Sequence, residues 1–260
     1  MMKTAIVDYF GYDLSPRERM QAIRRGGFDG VILLWTDQFD PDYRDFPRYA
    51  QEEGLYVENA HGPYLGANEV WLPGEAGENY TLQLITALQE CAEASVPTLV
   101  VHPVNGRQAL PQDPSLGLER FRRVLRTAES CGVAVAMENQ GNPDYLDLVF
   151  AQLASPQLKF CYDSGHENYF SPQRDLLAQY GHLLAALHLH DNPGTSNLHA
   201  LPMTGTVDWP RVAQRLLQSG YPGALALEAQ NAGFTHLTDP MAFLQEAHAR
   251  LERLAGMMAE

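Results

Sequence analysis

The chain has 260 residues, 45% of them hydrophobic, and a net charge of −14. That length allows one large α/β domain or two small ones, and the composition excludes a disordered or low-complexity chain. The acidity disfavours a nucleic-acid partner, since affinity for phosphates comes largely from Lys and Arg that displace counterions, and the only lysines are Lys3 and Lys159.

The opening residues, MMKTAIVDYF, hold no long apolar core, and no 18-residue apolar run follows. Neither a signal peptide nor a membrane span is indicated, and a cytoplasmic location is expected. Cys91, Cys131 and Cys161 are odd in number and share no CxxC spacing. They read as buried thiols, not as a disulfide framework or a structural zinc site.

In chain order, short apolar β-branched runs alternate with longer segments of helical period. The first strand is TAIVDY (4–9). Ser15-Pro16 with Glu18 then supplies a cap, a proline at the first helical position and a capping-box partner. Gly26-Gly27 marks the stop. GVILLW (30–35), LYVENA (55–60) and TLVVHP (98–103) are the next strands. Asp113-Pro114 opens a helix in which Leu118, Phe121, Leu125 and Ala128 share one face, and Gly132 ends it. VAVAMEN (133–139) and LKFCYD (158–163) are strands, with helix starts at Asn142-Pro143 and Ser171-Pro172. LLAALHLH (183–190) and ALALEA (224–229) complete the set, separated by a helix stopped at Gly220. Asp239-Pro240 opens the last helix. Eight strand-helix units in one chain of this length predict a single (β/α)8 TIM barrel over residues 1–260. An open doubly wound sheet is the rival, but no GxGxxG follows the first strand.

A parallel barrel gathers the carboxyl ends of its strands at one mouth. From the third strand onward those ends carry His61, His102, Glu138, Asp163, His188 and Glu228. A lone histidine after a strand is commonly a hydrogen-bonded loop residue. A carboxylate ending an Ala- and Val-rich strand, as Glu138 and Glu228 do, is costly to bury without a cation. His166, in DSGH, is placed for a loop to bend back over the same ion as Asp163. Mixed carboxylate and imidazole donors suit one divalent metal ion, with manganese or zinc ahead of magnesium and with cobalt or iron also suitable. No organic cofactor is expected. Tyr9, Phe10, Trp35, Tyr64 and Trp71 lie near the predicted mouth, where aromatic faces can meet a substrate. Arg107 is the nearest cation for a phosphate or carboxylate, although no Gly-rich phosphate cradle is visible. His182, His236 and His248 read as ordinary surface or loop histidines.

As an ordered set, HP at 102–103, EN at 138–139, DSGH at 163–166, HLHDN at 188–192, LHALPMTGTVDWPRV at 198–212 and LEAQ at 227–230 resemble the xylose-isomerase-like TIM barrels. That superfamily includes sugar isomerases and epimerases, inosose dehydratases, hydroxypyruvate isomerases and apurinic endonucleases. The resemblance covers essentially the whole chain. It implies a metal held by Glu138, Asp163, His188 and Glu228, with His166 and His199 as further candidate ligands. It also implies proton transfer through an enediolate, with Glu138 and Glu228 as the acid–base pair and His166 against a substrate oxygen. His61, His102 and His190 are expected beside the substrate, with Asp191 anchoring its loop and Asp208 capping the following helix. The implied partner is a small sugar or polyol, in a protein with the dimeric or tetrameric habit of the family. Three alternatives share this frame: an inosose-type dehydratase, a multi-zinc phosphodiesterase like the apurinic endonucleases, and a metal- and sugar-binding barrel without turnover. The endonuclease set would need an Asp where Asn197 stands two residues before His199.

Overall fold

A computed structural model describes residues 2–231 and 237–259, so His236 lies outside the described residues. Eight strands pair in parallel: β1 (Thr4–Val7), β2 (Gly30–Leu34), β3 (Tyr56–His61), β4 (Thr98–Val101), β5 (Ala134–Glu138), β6 (Leu158–Asp163), β7 (Leu184–His188) and β8 (Leu225–Leu227). Their spatial order is β7-β6-β5-β4-β3-β2-β1-β8. The ring is completed by a bridge between Leu189, just past β7, and Leu227, the last residue of β8. All eight sequence-derived strands are therefore present in a single (β/α)8 barrel, most of them one to three residues shorter than the hydropathy pattern indicates.

The helices between them are α1 (Pro16–Arg25), α2 (Phe46–Glu52), α3 (Glu75–Glu93), α4 (Ser115–Cys131), α5 (Asp144–Gln152), α6 (Ser164–Phe170), α7 (Leu176–Tyr180), α8 (Trp209–Ser219) and α9 (Pro240–Ala259). The capping box at Ser15 and Glu18 forms as expected, and Asp208 caps α8 through the Arg211 amide at 3.1 Å. One start signal fails. Ser171-Pro172 opens no helix: Ser171 closes α6, its N–H bonding the Glu167 carbonyl at 3.0 Å. The next helix starts from Asp175, whose carboxylate accepts the Ala178 N–H at 3.0 Å. The carboxylate captured the cap because its side chain reaches that free amide, whereas Ser171 Oγ is left with no partner. Cys91 and Cys161 are buried and Cys131 is half-buried, all as free thiols. Among the described residues no helix is long and apolar enough to cross a membrane.

Strand alternation positions the chemistry. Val100, Ala136, Cys161 and Ala186 form a separate small buried cluster inside the barrel. Two residues further along the same chain segments, and so on the same face, stand His102, Glu138, Asp163 and His188. The lower layer is small and apolar, which leaves the upper side chains room to converge. Register helps as well: Asp163 is the direct partner of His188, and Glu138 is the partner of Cys161.

Candidate metal and catalytic centre

Four side chains from β3, β5, β7 and the residue after β8 converge at the mouth. His61, Glu138, His188 and Glu228 each bring one potential ligand atom within 4.8 Å of the others, and all four are buried. His188 Nδ1 lies 3.1 Å from Glu138 Oε2 and 3.3 Å from Glu228 Oε2. His61 Nε2 is 3.7 Å from Glu138 and 3.9 Å from Glu228. His102 Nε2 is 3.3 Å from Glu138. A second group, Glu138, Asp163 and His166, shares Glu138 with the first.

The far nitrogens of these rings fix where the protons sit. His61 Nδ1 lies 2.9 Å from the Gly62 carbonyl, which can only accept, so Nδ1 carries the hydrogen. His102 Nδ1 likewise donates to Asn105 Oδ1 at 2.8 Å, an atom identified by Asn105 Nδ2 donating to the Tyr64 carbonyl. His188 Nε2 donates to Asn59 Oδ1 at 3.1 Å. In neutral rings His61 Nε2, His102 Nε2 and His188 Nδ1 therefore turn lone pairs toward two carboxylates. Such an arrangement repels itself unless a proton or a cation stands between. Outer acceptors that orient a ring in this way are characteristic of metal-ligating histidines. Buried Glu138 Oε1, Asp163 Oδ2, Glu228 Oε2 and His102 Nε2 have close polar neighbours but no well-aligned hydrogen bond. Donor chemistry and orphaned atoms together fit a divalent cation.

Electrostatics within the protein agree. Burial pushes His61 down to about 4, keeping it neutral. Burial also disfavours charge on His188, but Cys161, Glu228 and Glu138 around it raise it well above the ordinary histidine range. Burial tends to raise Glu138 and Glu228, yet the histidines beside them hold both carboxyls below the usual range. Asp163 has too little compensation and burial pushes it up to about 7. A site with this much unresolved carboxylate charge favours positive charge.

Asp163 is held from behind. Its backbone N–H and C=O are both bonded by the Asn139 amide at 2.7 Å, which gives the EN pair a structural purpose. Its Oδ1 accepts the His166 N–H at 2.6 Å and faces His190 Nε2 at 3.0 Å. His166 Nδ1 is 2.8 Å from Glu138 Oε1. Asn197 Nδ2 lies 3.2 Å from His166 Nε2 and 3.4 Å from His199 Nε2, so one amide group supplies a proton to both rings. His199 Nδ1 in turn donates to the Glu228 carbonyl at 2.9 Å.

A cavity of about 420 Å³ opens onto this centre and is lined by His61, His102, His166, His199 and Glu228, with Tyr64 on its wall. Three sequence-derived substrate contacts lie elsewhere. His190 is fully buried behind Asp163, with its ring stacked 3.9 Å from that of His199. Gly165 permits that burial, because a Cβ there would sit 1.9 Å from His190 Cε1. Trp35 turns outward and donates to Glu90 at 3.1 Å. Arg107 ties its loop to α6, donating to the carbonyls of Phe170 and Tyr169 at 3.0 and 2.6 Å. Of the expected aromatics, Tyr9 and Tyr64 face the cavity, while Phe10 and Trp71 are buried in the core.

Asn59, Asn105 and Phe39 are site residues that the sequence reading missed. Asn59 stands two before His61 in one strand, so alternation alone assigns it inward. Phe39 lies in an irregular loop with no such signal.

A profile described as xylose isomerase-like TIM barrel matches residues 20–254. The chain belongs to that family. This xylose isomerase-like barrel is 32% identical over 120 residues to an uncharacterised protein of Sinorhizobium fredii, a match covering 45% of this chain and 38% of the relative. It is 22% identical over 187 residues to an uncharacterised protein of Methanocaldococcus jannaschii, covering 66% and 64% of the two chains. The matched region is thus less than two thirds of either relative's length. Among solved structures, D-psicose 3-epimerase from Clostridium cellulolyticum with D-tagatose superposes at TM-score 0.77, with 16% identity and 99% of each chain covered. The 3-keto-D-glucoside 4-epimerase of E. coli superposes at 0.75, with 19% identity over 97% of this chain and 100% of its own. At these identities the likeness shows the fold.

Proposed function

We propose that this barrel is a divalent-metal-dependent sugar isomerase or epimerase that moves a proton on the carbon beside a carbonyl. The observation that carries the reading is the set of imidazole lone pairs on His61, His102 and His188 directed at Glu138 and Glu228. Two superposing structures, of D-psicose 3-epimerase and 3-keto-D-glucoside 4-epimerase, support it. Glu138, His188 and Glu228 would hold the ion, with Asp163 and His61 beside them. When bound, the metal supplies Lewis acidity, polarising a substrate carbonyl and stabilising negative charge on its oxygen.

The remaining chemistry belongs to the chain. One of Glu138 and Glu228 removes the proton next to the carbonyl, and the other delivers a proton to the adjacent position or the opposite face. Both are depressed below the usual carboxyl range, so either can start as the base, and its partner must first take up from solvent the proton that it delivers. His166, lining the cavity and 2.8 Å from Glu138 Oε1, orients that carboxylate and meets a substrate oxygen. Tyr64 offers a face for the sugar carbons. A dehydratase would share the first proton abstraction and then expel a neighbouring hydroxyl.

A multi-metal phosphodiesterase draws support from the third grouping, His166, His190 and His199. Asn197 weighs against it, because the amide hydrogens occupy the lone pairs that a further cation would need. Protein purified without chelator should carry about one equivalent of manganese or zinc, the metals best matched to these donors. The metal-loaded protein should also exchange a carbon-bound hydrogen of a keto sugar with deuterated water. Loss of water from an inosose would move the assignment to the dehydratase. Two or more zinc equivalents with cleavage of abasic DNA would replace it with the phosphodiesterase, and no metal uptake with no exchange would end the proposal.

A further inference from the structure

A second cavity of about 420 Å³ lies beside the first, under the loops after β1 and β2. Tyr9, Leu34 and Phe39 line both cavities, so the two meet along a shared wall. That wall carries a row of rings: Tyr9 stacks on Phe39 with centroids 6.4 Å apart, and Phe39 stacks on Tyr64 at 6.3 Å, their planes within 25° of parallel. Tyr64 stands at the metal-side end and Tyr9 reaches into the second chamber. Both Tyr9 and Phe39 are exposed, at 43% and 52%, although neither covers a core. Flat aromatic faces in a row, open to solvent and leading away from a reaction centre, suit the C–H faces of successive sugar rings.

The far chamber mixes apolar walls with charged groups, and its charge is not that of an anion site. Its walls include Asp8, Asp13, Asp40 and Thr36, with Arg19 as the cation among its described residues. Arg19 lies between two of the carboxylates without bonding either tightly, at 3.5 Å to Asp8 and 3.3 Å to Asp40. Its side chain is only 9% exposed, and its Nε has no partner. Charge-assisted contacts of good geometry are ordinarily ~2.7–2.9 Å, so these groups retain hydrogen-bonding capacity. Three carboxylates against one guanidinium repel a phosphate or carboxylate. The same groups are complementary to neutral hydroxyls, which donate to the carboxylates and accept from the guanidinium.

We infer that the second chamber is a subsite for a neutral glycosyl unit, and that the substrate is a glycoside or ketodisaccharide whose reacting sugar sits at the metal end. This rests on the sugar isomerase or epimerase reading and deepens it. The free sugar fills the first cavity; the attached ring runs along Phe39 and Tyr9, and its hydroxyls meet Asp13, Asp40 and Arg19. A phosphorylated sugar is excluded by the same carboxylates.

The test uses the whole metal-reconstituted chain with D-fructose and the ketodisaccharides maltulose and turanose as probes. Binding is read by titration calorimetry, and proton exchange by deuterium incorporation. At least one ketodisaccharide should bind tenfold or more tighter than fructose. The preference should fall at least tenfold in an Asp13→Asn/Asp40→Asn double variant and in Phe39→Ala. Repeating the calorimetry on metal-free protein should preserve the ratio of affinities, since the subsite lies away from the metal. Equal affinities for fructose and both disaccharides overturn the subsite while leaving the isomerase reading standing, as does a disaccharide preference that both variants retain. A protein that binds and exchanges none of the three sugars overturns both.

Discussion

At the scale of single residues, Glu138 and Glu228 bear the sharpest expectations. Glu138→Gln and Glu228→Gln keep shape and remove the base, so each should lower sugar proton exchange by about 10²–10⁴-fold, with the circular dichroism of the fold preserved. Wild-type exchange in both variants contradicts the acid–base assignment. Asn197 offers a test of metal number: Asn197→Asp replaces the amide shared by His166 and His199 with an anionic donor. Elemental analysis should then find more metal per chain than in the wild type, and an unchanged stoichiometry would show that the amide is not what limits it. Most of these residues were legible, because strand ends in a barrel converge and a carboxylate ending an apolar strand needs a partner. Asp163 and His166 were recognised, but not the Asn139 clamp or the helix turn that aims His166, since both depend on three-dimensional contacts. Trp35 and Arg107 misled for the same reason. Position near the mouth does not specify which way a long side chain turns, and each found a nearer partner, Glu90 or the carbonyls of α6.

At the scale of elements, the segment after β7 shows how a loop can be made rigid by one buried anion. Asp191 accepts from the Asn192 N–H at 2.8 Å, the Thr204 N–H at 3.1 Å, the Val207 N–H at 3.2 Å and the Trp209 indole at 2.8 Å. The carboxylate thus gathers both ends of the excursion that carries Asn197 and His199. Asp191→Ala leaves several buried donors unmatched and should cost at least about 3 kcal/mol. For a domain of this size that is a melting temperature lower by about 6–12 °C. Loss of less than about 1 kcal/mol would mean that water or a neighbouring acceptor replaces it. The sequence reading anticipated Asp191 as an anchor and Asp208 as the cap of α8. It placed a helix start at Ser171 because a serine followed by proline is a general signal, whereas the actual start was chosen by which side chain reached the open amides.

At the scale of the whole molecule, burial of Asp8 at the end of β1 couples stability to pH. Despite Arg19 and the backbone donors around it, burial raises Asp8 from 3.8 to about 6. The native state therefore holds this proton more tightly than the unfolded chain does. Its effect on stability is most favourable below about pH 4 and is lost as pH rises to about 6, a change of about 3 kcal/mol. Urea unfolding of wild type and Asp8→Asn across that range should diverge by this amount, and parallel curves would place the Asp8 pKa near its ordinary value. Architecture was the most legible level of all: eight apolar runs with helical spacers admit few packings. Strand ends were less so, since hydropathy continues past the last paired residue. The closure of the barrel was not legible. β8 has only three residues, and β7 meets it through Leu189 N–H to the Ala226 carbonyl at 2.9 Å and Glu228 N–H to the Leu189 carbonyl at 3.1 Å. His188 and Glu228 thus stand on opposite sides of the thinnest seam in the wall. An ion gripped by both, as proposed, would be a clasp as well as a reagent, fastening the barrel at its own reaction centre. Removing metal should speed amide hydrogen exchange at Leu189 and Glu228 far more than along β5, whereas a uniform change would show that the seam holds without it.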